Sequence, residues 1–380
     1  MRVLEVVVRF HPYVGGVENT VYHLGRRLAA RGHEVRVVCA DEPAGSPSQV
    51  EGIDVVRLPY AGKVGNTNLS LGLRAALLRE RPDVIHTHMP TAWFTDFAAV
   101  AARRLRVPLV LSYNNDLIGN GAKGVLAHVY NRFLLPRLFA ATDRIVVSNP
   151  LYARNSPYLT EGDPKVMHIP WGVDETAFAP ADQSPSGPAH EPPFVLGFLS
   201  LLDPHHRYKG LEVLLKALGE RKDLPVRLKV GGAGEEQGYY RGLAESLGIA
   251  DRVDFLGFVP HAALADFFRS CHVFVLPSTD GRQEGFGLVL LEAMSCARPV
   301  LTTPVVGMAG DIDRSRAGVL VPPGNSTALA EALAGLLSDG NALAAMGERG
   351  RRLVEERYTW ERVTEAYERL FEELRSRRRS

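Results

Sequence analysis

The chain has 380 residues, long for one hydrophobic core and natural for two. Its 44 Lys and Arg balance 43 Asp and Glu to a net charge of +1, so no global positive field points to nucleic acid as a partner. Hydrophobic residues make up 46% without any run near the ~18 apolar residues of a membrane span, so a soluble protein is expected.

The first predicted element is a buried strand at Val3–Val8, whose apolar run is too short for a signal peptide. A helix follows over Val17–Arg31, then strands at Glu34–Cys39 and Ile53–Leu58, a helix near Leu69–Arg79 and a strand at Val84–His86. Leu109–Ser112 and Arg144–Val147 read as further strands, each after a helical pattern. This βαβα rhythm implies a mostly parallel sheet covered on both faces. Cys39, Cys271 and Cys296 lack metal-ligand spacing, which fits a reducing cytoplasmic compartment.

Composition breaks at Ala179–Pro193, where five prolines with Ser and Gly predict a linker. A second αβ series starts with a strand at Phe194–Leu199. It continues with a helix at Leu211–Leu218 and strands at Arg227–Val230, Val253–Phe255 and Val273–Leu276. The expected domains are 1–175, a linker at 176–193, 194–358, and a C-terminal helix with a basic tail at 359–380. Two such α/β halves would bind ligands across a cleft facing the C-terminal ends of their strands.

The stretch Glu284–Ala293, EGFGLVLLEA, follows the strand ending at Leu276. Gly285 and Gly287 open a helix, with Glu284 before it and Glu292 one turn inside. A helix N-terminus offers unpaired N–H groups and a positive dipole end. Glycines let a diphosphate or sugar approach the backbone. A carboxylate at each end can accept from hydroxyls, a sugar at Glu284 and a ribose at Glu292. The plainer alternative is a surface loop whose Glu284 favours the helix dipole.

The E-x7-E spacing in PSTDGRQEGFGLVLLEAMSCARPVL resembles the retaining glycosyltransferases of family 4, which have the GT-B fold. HPYVGGVENTVYHLGRRLAARGHEV, DVIHTH, DRIVVSNPLY, IPWGVD, HRYKGLEVLLKAL and RVDFLGFVP support the resemblance in order and spacing across nearly the whole chain. The resemblance implies an α/β, GT-B architecture of two Rossmann-like domains with parallel sheets facing a central cleft, the C-terminal helix crossing back to the N-domain. It implies a metal-independent, retaining transfer of a hexosyl or N-acetylhexosaminyl unit by front-face substitution. The co-substrate is a nucleotide diphosphate sugar, UDP-linked ahead of GDP-linked, and no cofactor is expected. The acceptor is a small molecule, a glycan or a lipid-linked hydroxyl; the partners include no nucleic acid. Peripheral contact with the inner membrane is compatible with this.

The resemblance assigns Glu284 to sugar hydroxyls, Glu292 to ribose, and the backbone of Phe286, Gly287 and Leu288, with Gly285, to sugar and phosphate. Lys209 would meet the diphosphate, the backbone near Phe258–Pro260 the base, and Gly15 and Gly16 the phosphate and acceptor. The family commonly has a His where LSYNNDL places Asn114. A phosphate-binding Arg is commonly found where Ser200 stands, and Arg207 is the expected substitute. The catalytic set is thus Glu284, Lys209 and Asn114, with no metal. His11, His86, His88 and Asp116 are acceptor candidates, although His86 and His88 also read as a structural pair lacking a third metal ligand.

Asp311 and Asp313 read as a helix cap and Trp171 as packing. KGVLAHVYNRFLLPRLF, with Lys123, Arg132 and Arg137, reads as a core-facing helix or one that brushes a bilayer. A sugar-nucleotide epimerase or a non-catalytic sugar-nucleotide-binding protein would share this fold.

Overall fold

The alternating apolar runs become parallel strands, and the helical patterns between them cover the strands' faces. The computed structural model describes residues 1–13, 15–65, 67–117, 119, 121–160, 162–181, 192–281 and 283–379. It divides into two units, Met1–Gly172 with Trp360–Ser380, and Val173–Thr359. Most of the proline-rich stretch read as a linker, 182–191, lies outside the described residues.

The first unit runs β1 (Arg2–Val6), α1 (Gly16–Ala30), β2 (Glu34–Ala40), β3 (Gln49–Val50), β4 (Ile53–Leu58), β5 (Lys63–Val64), β6 (Thr67–Asn68) and α2 (Leu73–Arg79). It continues with β7 (Val84–Met89), α3 (Phe94–Leu105), β8 (Leu109–Tyr113), α4 (Gly121–Phe133), α5 (Leu135–Ala141), β9 (Arg144–Val147), α6 (Pro150–Asn155) and β10 (Val166–His168). The strand order is β10-β9-β8-β7-β1-β2-β4-β3, parallel except that β3 runs antiparallel to β4.

The second unit runs β11 (Phe194–Leu199), a 3-10 turn at Pro204–Lys209, α7 (Leu211–Glu220), β12 (Val226–Gly231), α8 (Gln237–Ser246), β13 (Val253–Gly257) and α9 (His261–Arg269). Then come β14 (Val273–Leu276), α10 (Leu288–Ser295), β15 (Val300–Thr302), α11 (Ala309–Ser315), β16 (Gly318–Leu320), α12 (Ser326–Leu337) and α13 (Gly340–Arg357). Its strands are all parallel, in the order β13-β12-β11-β14-β15-β16. The chain then returns to the first unit as α14 (Trp360–Arg379).

Side-chain alternation gives the first sheet two packed faces. Leu4 and Val6 join Ile85, Leu109 and Leu111 on one face, with Leu73, Phe94 and Leu138 from the helices. Val3 joins Val35, Val84 and Val110 on the other, beneath Leu24 of α1 and Val363, Tyr367, Leu370 and Phe371 of α14. A ladder of ion pairs fixes α14 from its outer edge. Arg31 pairs with Glu361 and Glu368, His33 Nε2 lies 2.6 Å from Glu368 Oε1, and Arg378 pairs with Asp143.

Several boundaries differ from the sequence reading, among them the following three. β1 ends at Val6 rather than Val8, just before the chain turns through Arg9–Pro12. The helix near Leu69 starts at Leu73, because the Leu73 N–H turns back to the Ser70 carbonyl at 3.2 Å. β7 runs on to Met89, which carries His88 inside the sheet.

Phe371 is fully buried between α14 and the sheet. Phe371→Ala should cost about 3–5 kcal/mol of unfolding free energy in urea titration, as expected of a large core truncation. Tyr367→Phe, which removes one hydrogen bond to Ser112 and no volume, should cost only about 0.5–1.5 kcal/mol.

Candidate active site

Two segments of the second unit are clipped together by their backbones. The Thr279 N–H donates to the Tyr208 carbonyl at 2.7 Å. Gly210 follows at φ 84°, and a Cβ there would stand 2.1 Å from the Pro277 carbonyl, so only glycine lets the turn approach the end of β14. This close approach brings Lys209 to Glu284. The Lys209 ammonium lies 2.9 Å from Oε2 and 3.0 Å from Oε1 of that buried carboxylate. Ser278 Oγ donates to the same Oε2 at 2.6 Å, and the Glu284 N–H donates to the Asp280 carbonyl at 2.9 Å.

Beyond Glu284 the chain enters α10 through Gly287, an N-cap at φ 86° that an L side chain would strain. A Cβ built at Gly285 meets nothing within 4 Å. Phe286 is buried, its ring 5.8 Å from Tyr358, and Leu288 is the first helical residue. The entrance to α10 therefore combines helix N–H groups, an ammonium and an ionisable acid, an arrangement able to hold phosphate and hydroxyls together. Glu292 lies one turn further on. Burial of its carboxyl pushes the pKa up to about 8. Phe258 is exposed just past β13.

Arg207 has a protein partner. Its Nε donates to Glu236 Oε1 at 2.7 Å and Oε2 at 2.9 Å, and its guanidinium lies 5.2 Å from the Tyr239 ring centroid. A buried acid that the sequence reading missed thus already engages this cation. Ser200 turns its hydroxyl to the Leu201 carbonyl at 3.1 Å.

In the first unit, the two glycines expected to face ligand have protein neighbours. A Cβ at Gly16 would stand 3.2 Å from the Trp171 ring, and one at Gly15 would stand 2.3 Å from Glu18 Oε2. The Trp171 ring packs near Gly16, whereas the Glu18 atom near Gly15 is the end of a flexible side chain able to move aside, and Glu18 is a further acid that the sequence reading missed. Asn114 Nδ2 donates to the Met89 carbonyl at 3.2 Å. Asp116 accepts from Tyr113 Oη at 2.8 Å and Ser156 Oγ at 2.7 Å, which ties the loop after β8 to neighbouring segments. The His11 ring stacks on Tyr22 at 4.7 Å.

His86 and His88 are corrected as acceptor groups, because both are completely buried. Alternation puts them on the α14-facing side of β7, and the parallel register sets His86 beside Glu5 of β1. His86 Nδ1 donates to Glu5 Oε1 at 2.9 Å, and His88 Nε2 donates to Glu5 Oε2 at 3.1 Å. His86 Nε2 meets Ser112 Oγ at 2.8 Å, and Ser112 Oγ lies 2.8 Å from Tyr367 Oη. Burial alone would raise the Glu5 carboxyl. The charge of His86 and the bonds from both imidazoles reverse this and hold it at about 2. Burial lowers His88 to about 4. Glu5 is the third group the sequence reading could not place. Among the described residues, Glu5, His86 and His88 are the group whose ligand atoms lie near enough for a metal ion, within 4.8 Å of one another. The hydrogen bonds of the cluster make it a structural network in its present geometry.

Asp311 is likewise not a helix cap. Its carboxylate accepts from Arg357 Nη1 at 2.7 Å and from Tyr358 Oη and Arg314. Among the described residues no helix is long and apolar enough to cross a membrane.

Two α/β units with parallel sheets and a C-terminal helix that returns to the first are the parts of a GT-B fold. Residues 14–177 match the model for Glycosyltransferase Family 4, and residues 182–353 match Glycosyl transferases group 1. The chain is 30% identical to O-antigen chain mannosyltransferase C of Escherichia coli, over 98% of this chain and 99% of the relative. It is 30% identical to the D-inositol 3-phosphate glycosyltransferase of Kribbella flavida, over 88% and 85%. Its fold is similar to that of HepE from Anabaena in complex with UDP and glucose, with a TM-score of 0.70, 21% identity, and coverage of 98% and 99%. The chain belongs to glycosyltransferase family 4, and it is an enzyme that transfers a sugar from a nucleotide-sugar donor.

The raised Glu292 carboxyl makes the fold pH-dependent. The unfolded chain releases this proton near 4.5 and the folded chain only near 8. Its contribution to stability therefore falls as pH rises between these values and then levels off. Glu292→Gln should remove that slope, so the melting temperature of the variant should drop less than that of the wild type between about pH 5 and about pH 8.

Proposed function

We propose that this enzyme moves a hexosyl or N-acetylhexosaminyl unit from a nucleotide diphosphate sugar to an acceptor hydroxyl, with retained anomeric configuration and without a metal. The observation that carries this reading is the Lys209–Glu284 pair at the entrance to α10, beside the open position at Gly285. Lys209, a compact point charge, is suited to the diphosphate. Glu284, fixed by Ser278, is suited to sugar hydroxyls, and Glu292 to ribose. The exposed Phe258 is suited to the base. A UDP-linked donor is proposed ahead of a GDP-linked one, in keeping with the UDP-bound Anabaena neighbour. A glycan or lipid-linked acceptor agrees with the mannosyltransferase named for the O-antigen chain.

In the proposed step the acceptor oxygen forms a bond to the anomeric carbon on the face from which the leaving phosphate departs. The carbon–oxygen bond to the phosphate breaks, and the phosphate takes the hydroxyl proton. The protein positions the reactants and stabilises charge. Lys209 and the N–H groups of α10 meet the growing negative charge on the phosphate. Glu284 orients the sugar and is not a nucleophile. Asn114 can donate and accept hydrogen bonds but carries no charge. The proposal places the enzyme in the cytoplasm with peripheral contact at the inner membrane.

A thermal-shift screen against UDP, GDP and ADP and their common sugars tests the donor class, because a ligand that binds only the folded state raises its apparent stability. Lys209→Ala should abolish the shift, and Glu284→Ala should lower the transfer rate by about 10²–10³-fold with the fold intact. Arg207→Ala should weaken the shift far less than Lys209→Ala, because Glu236 already holds Arg207. Full activity in both Lys209→Ala and Glu284→Ala would exclude this site.

A further inference from the structure

We propose that Tyr358, held by Asp311, is a positioning residue for the turn Glu284–Leu288. Its role rests on that turn holding the donor, as proposed above. All of these residues lie in the second unit.

Between Glu284 and the first residue of α10 the only side chain is that of Phe286, because Gly285 and Gly287 flank it. The Phe286 ring is 4% exposed and meets the Tyr358 ring edge to face, with centroids 5.8 Å apart and planes at 62°. Tyr358 follows α13 directly and is buried. Its N–H donates to the Val354 carbonyl at 2.8 Å, and its carbonyl accepts from the Val173 N–H at 2.8 Å. Its hydroxyl donates to Asp311 Oδ2. The ring that backs Phe286 is therefore fixed at the backbone and at the hydroxyl.

Asp311 is itself 8% exposed, and its Oδ1 accepts from Arg357 Nη1 at 2.7 Å and from Arg314. Burial raises its carboxyl, but the Tyr358 bond and the two guanidiniums overcome this and hold it below its ordinary value. Asp311 belongs to α11, and its N–H donates to the Met308 carbonyl at 3.0 Å. The segment leading to α11 lies along the same turn. Thr303 Oγ1 donates to the Ser278 carbonyl at 2.7 Å, and a Cβ built at Gly287 would stand 3.8 Å from Val306. One carboxylate thus joins the support behind Phe286 to the support beside Gly287.

Apolar packing alone could fill this space, and a buried charged group seldom adds net stability over an apolar one. What the hydroxyl and carboxylate add is direction. Ring-to-ring contact tolerates sliding, whereas the bond to Asp311 sets where the Tyr358 ring stands. Glycine backbone permits many directions, so the place of the Phe286 ring sets the aim of the N–H groups that open α10.

The first test needs no ligand. In amide hydrogen exchange of the full chain read by mass spectrometry, residues 284–288 should exchange about tenfold faster in Tyr358→Phe than in the wild type, as loss of one hydrogen bond predicts. The strands of both sheets should be unchanged. This variant keeps the ring and leaves Asp311 paired with both arginines. Asp311→Asn, whose amide oxygen still accepts from the hydroxyl, should exchange nearly as slowly as the wild type. Asp311→Leu should match Tyr358→Phe, and the double variant should be no faster than either. The second test is calorimetric titration with UDP and with GDP. The nucleotide that the wild type binds should bind Tyr358→Phe about tenfold more weakly. Wild-type exchange at 284–288 in Tyr358→Phe would overturn the proposal. So would exchange that rises equally over the whole chain, because the bond would then supply stability alone. Faster exchange at the turn with unchanged nucleotide affinity would overturn the link to the donor. A wild type that binds neither nucleotide, with the turn still exchanging faster in the variant, would count against the donor site and leave the positioning of the turn standing.

Discussion

A parallel sheet must be covered on both faces, and this requirement shapes the whole chain. In the first unit, α1 covers only part of one face. The rest is closed by α14, which arrives after the entire second unit has been made. The first domain is therefore discontinuous in sequence. Its core includes Trp360, Val363, Tyr367, Leu370 and Phe371, and it is complete only when the chain has returned. The buried polar line Glu5–His86–Ser112–Tyr367 belongs to this closure. A carboxylate in a dry sheet is costly unless charge and hydrogen bonds compensate it, and two imidazoles from the neighbouring strand do so. The line also ends on α14, so a helix otherwise held by apolar contacts and outer ion pairs gains one directional bond at its centre.

The same economy of pairing recurs in the second unit with a different consequence. Lys209 and Glu284 neutralise each other at the entrance to α10 without filling the space beside Gly285. A pair of this kind holds two polar groups ready in fixed positions. A ligand with both an anion and hydroxyls can replace the mutual contact by two separate ones. Arg207 and Glu236 are also paired, yet Glu236 forms the start of α8 and Tyr239 lies against the guanidinium. That pair lies at the surface, with the Arg207 side chain 55% exposed.

Much of this was legible in the sequence. The alternation of short apolar runs and amphipathic segments located most strands within a residue or two, because periodicity follows directly from which face is buried. The geometry at the entrance to α10 was legible because it is local. Glu284, the two glycines and Glu292 lie in one continuous stretch. The misplaced residues share the opposite property. Glu5, Glu18 and Glu236 gain their meaning from partners that only the fold supplies, through strand register, a helix start and a side chain from a neighbouring turn. His86 and His88 were visible as a pair but were open to two readings until β7 proved to run past them to Met89. Gly15 and Gly16 show the same limit. A glycine advertises close approach, yet the sequence does not say what approaches, and in the fold the Trp171 ring lies near Gly16.

The α4 segment was open to two readings for a related reason. A helix with apolar residues all round looks like core in sequence, since periodicity weakens when both faces are apolar. Once Tyr130 and Ala127 are seen to face the sheet, Val125, Leu126, Val129 and Phe133 have no core left to enter. They stay at the surface, where exposed apolar side chains are common, so a helix apolar on both sides reads alike in sequence wherever its outer side lies. Coverage of the sheet by α14 differs because that face is built from strands whose two sides must both be buried.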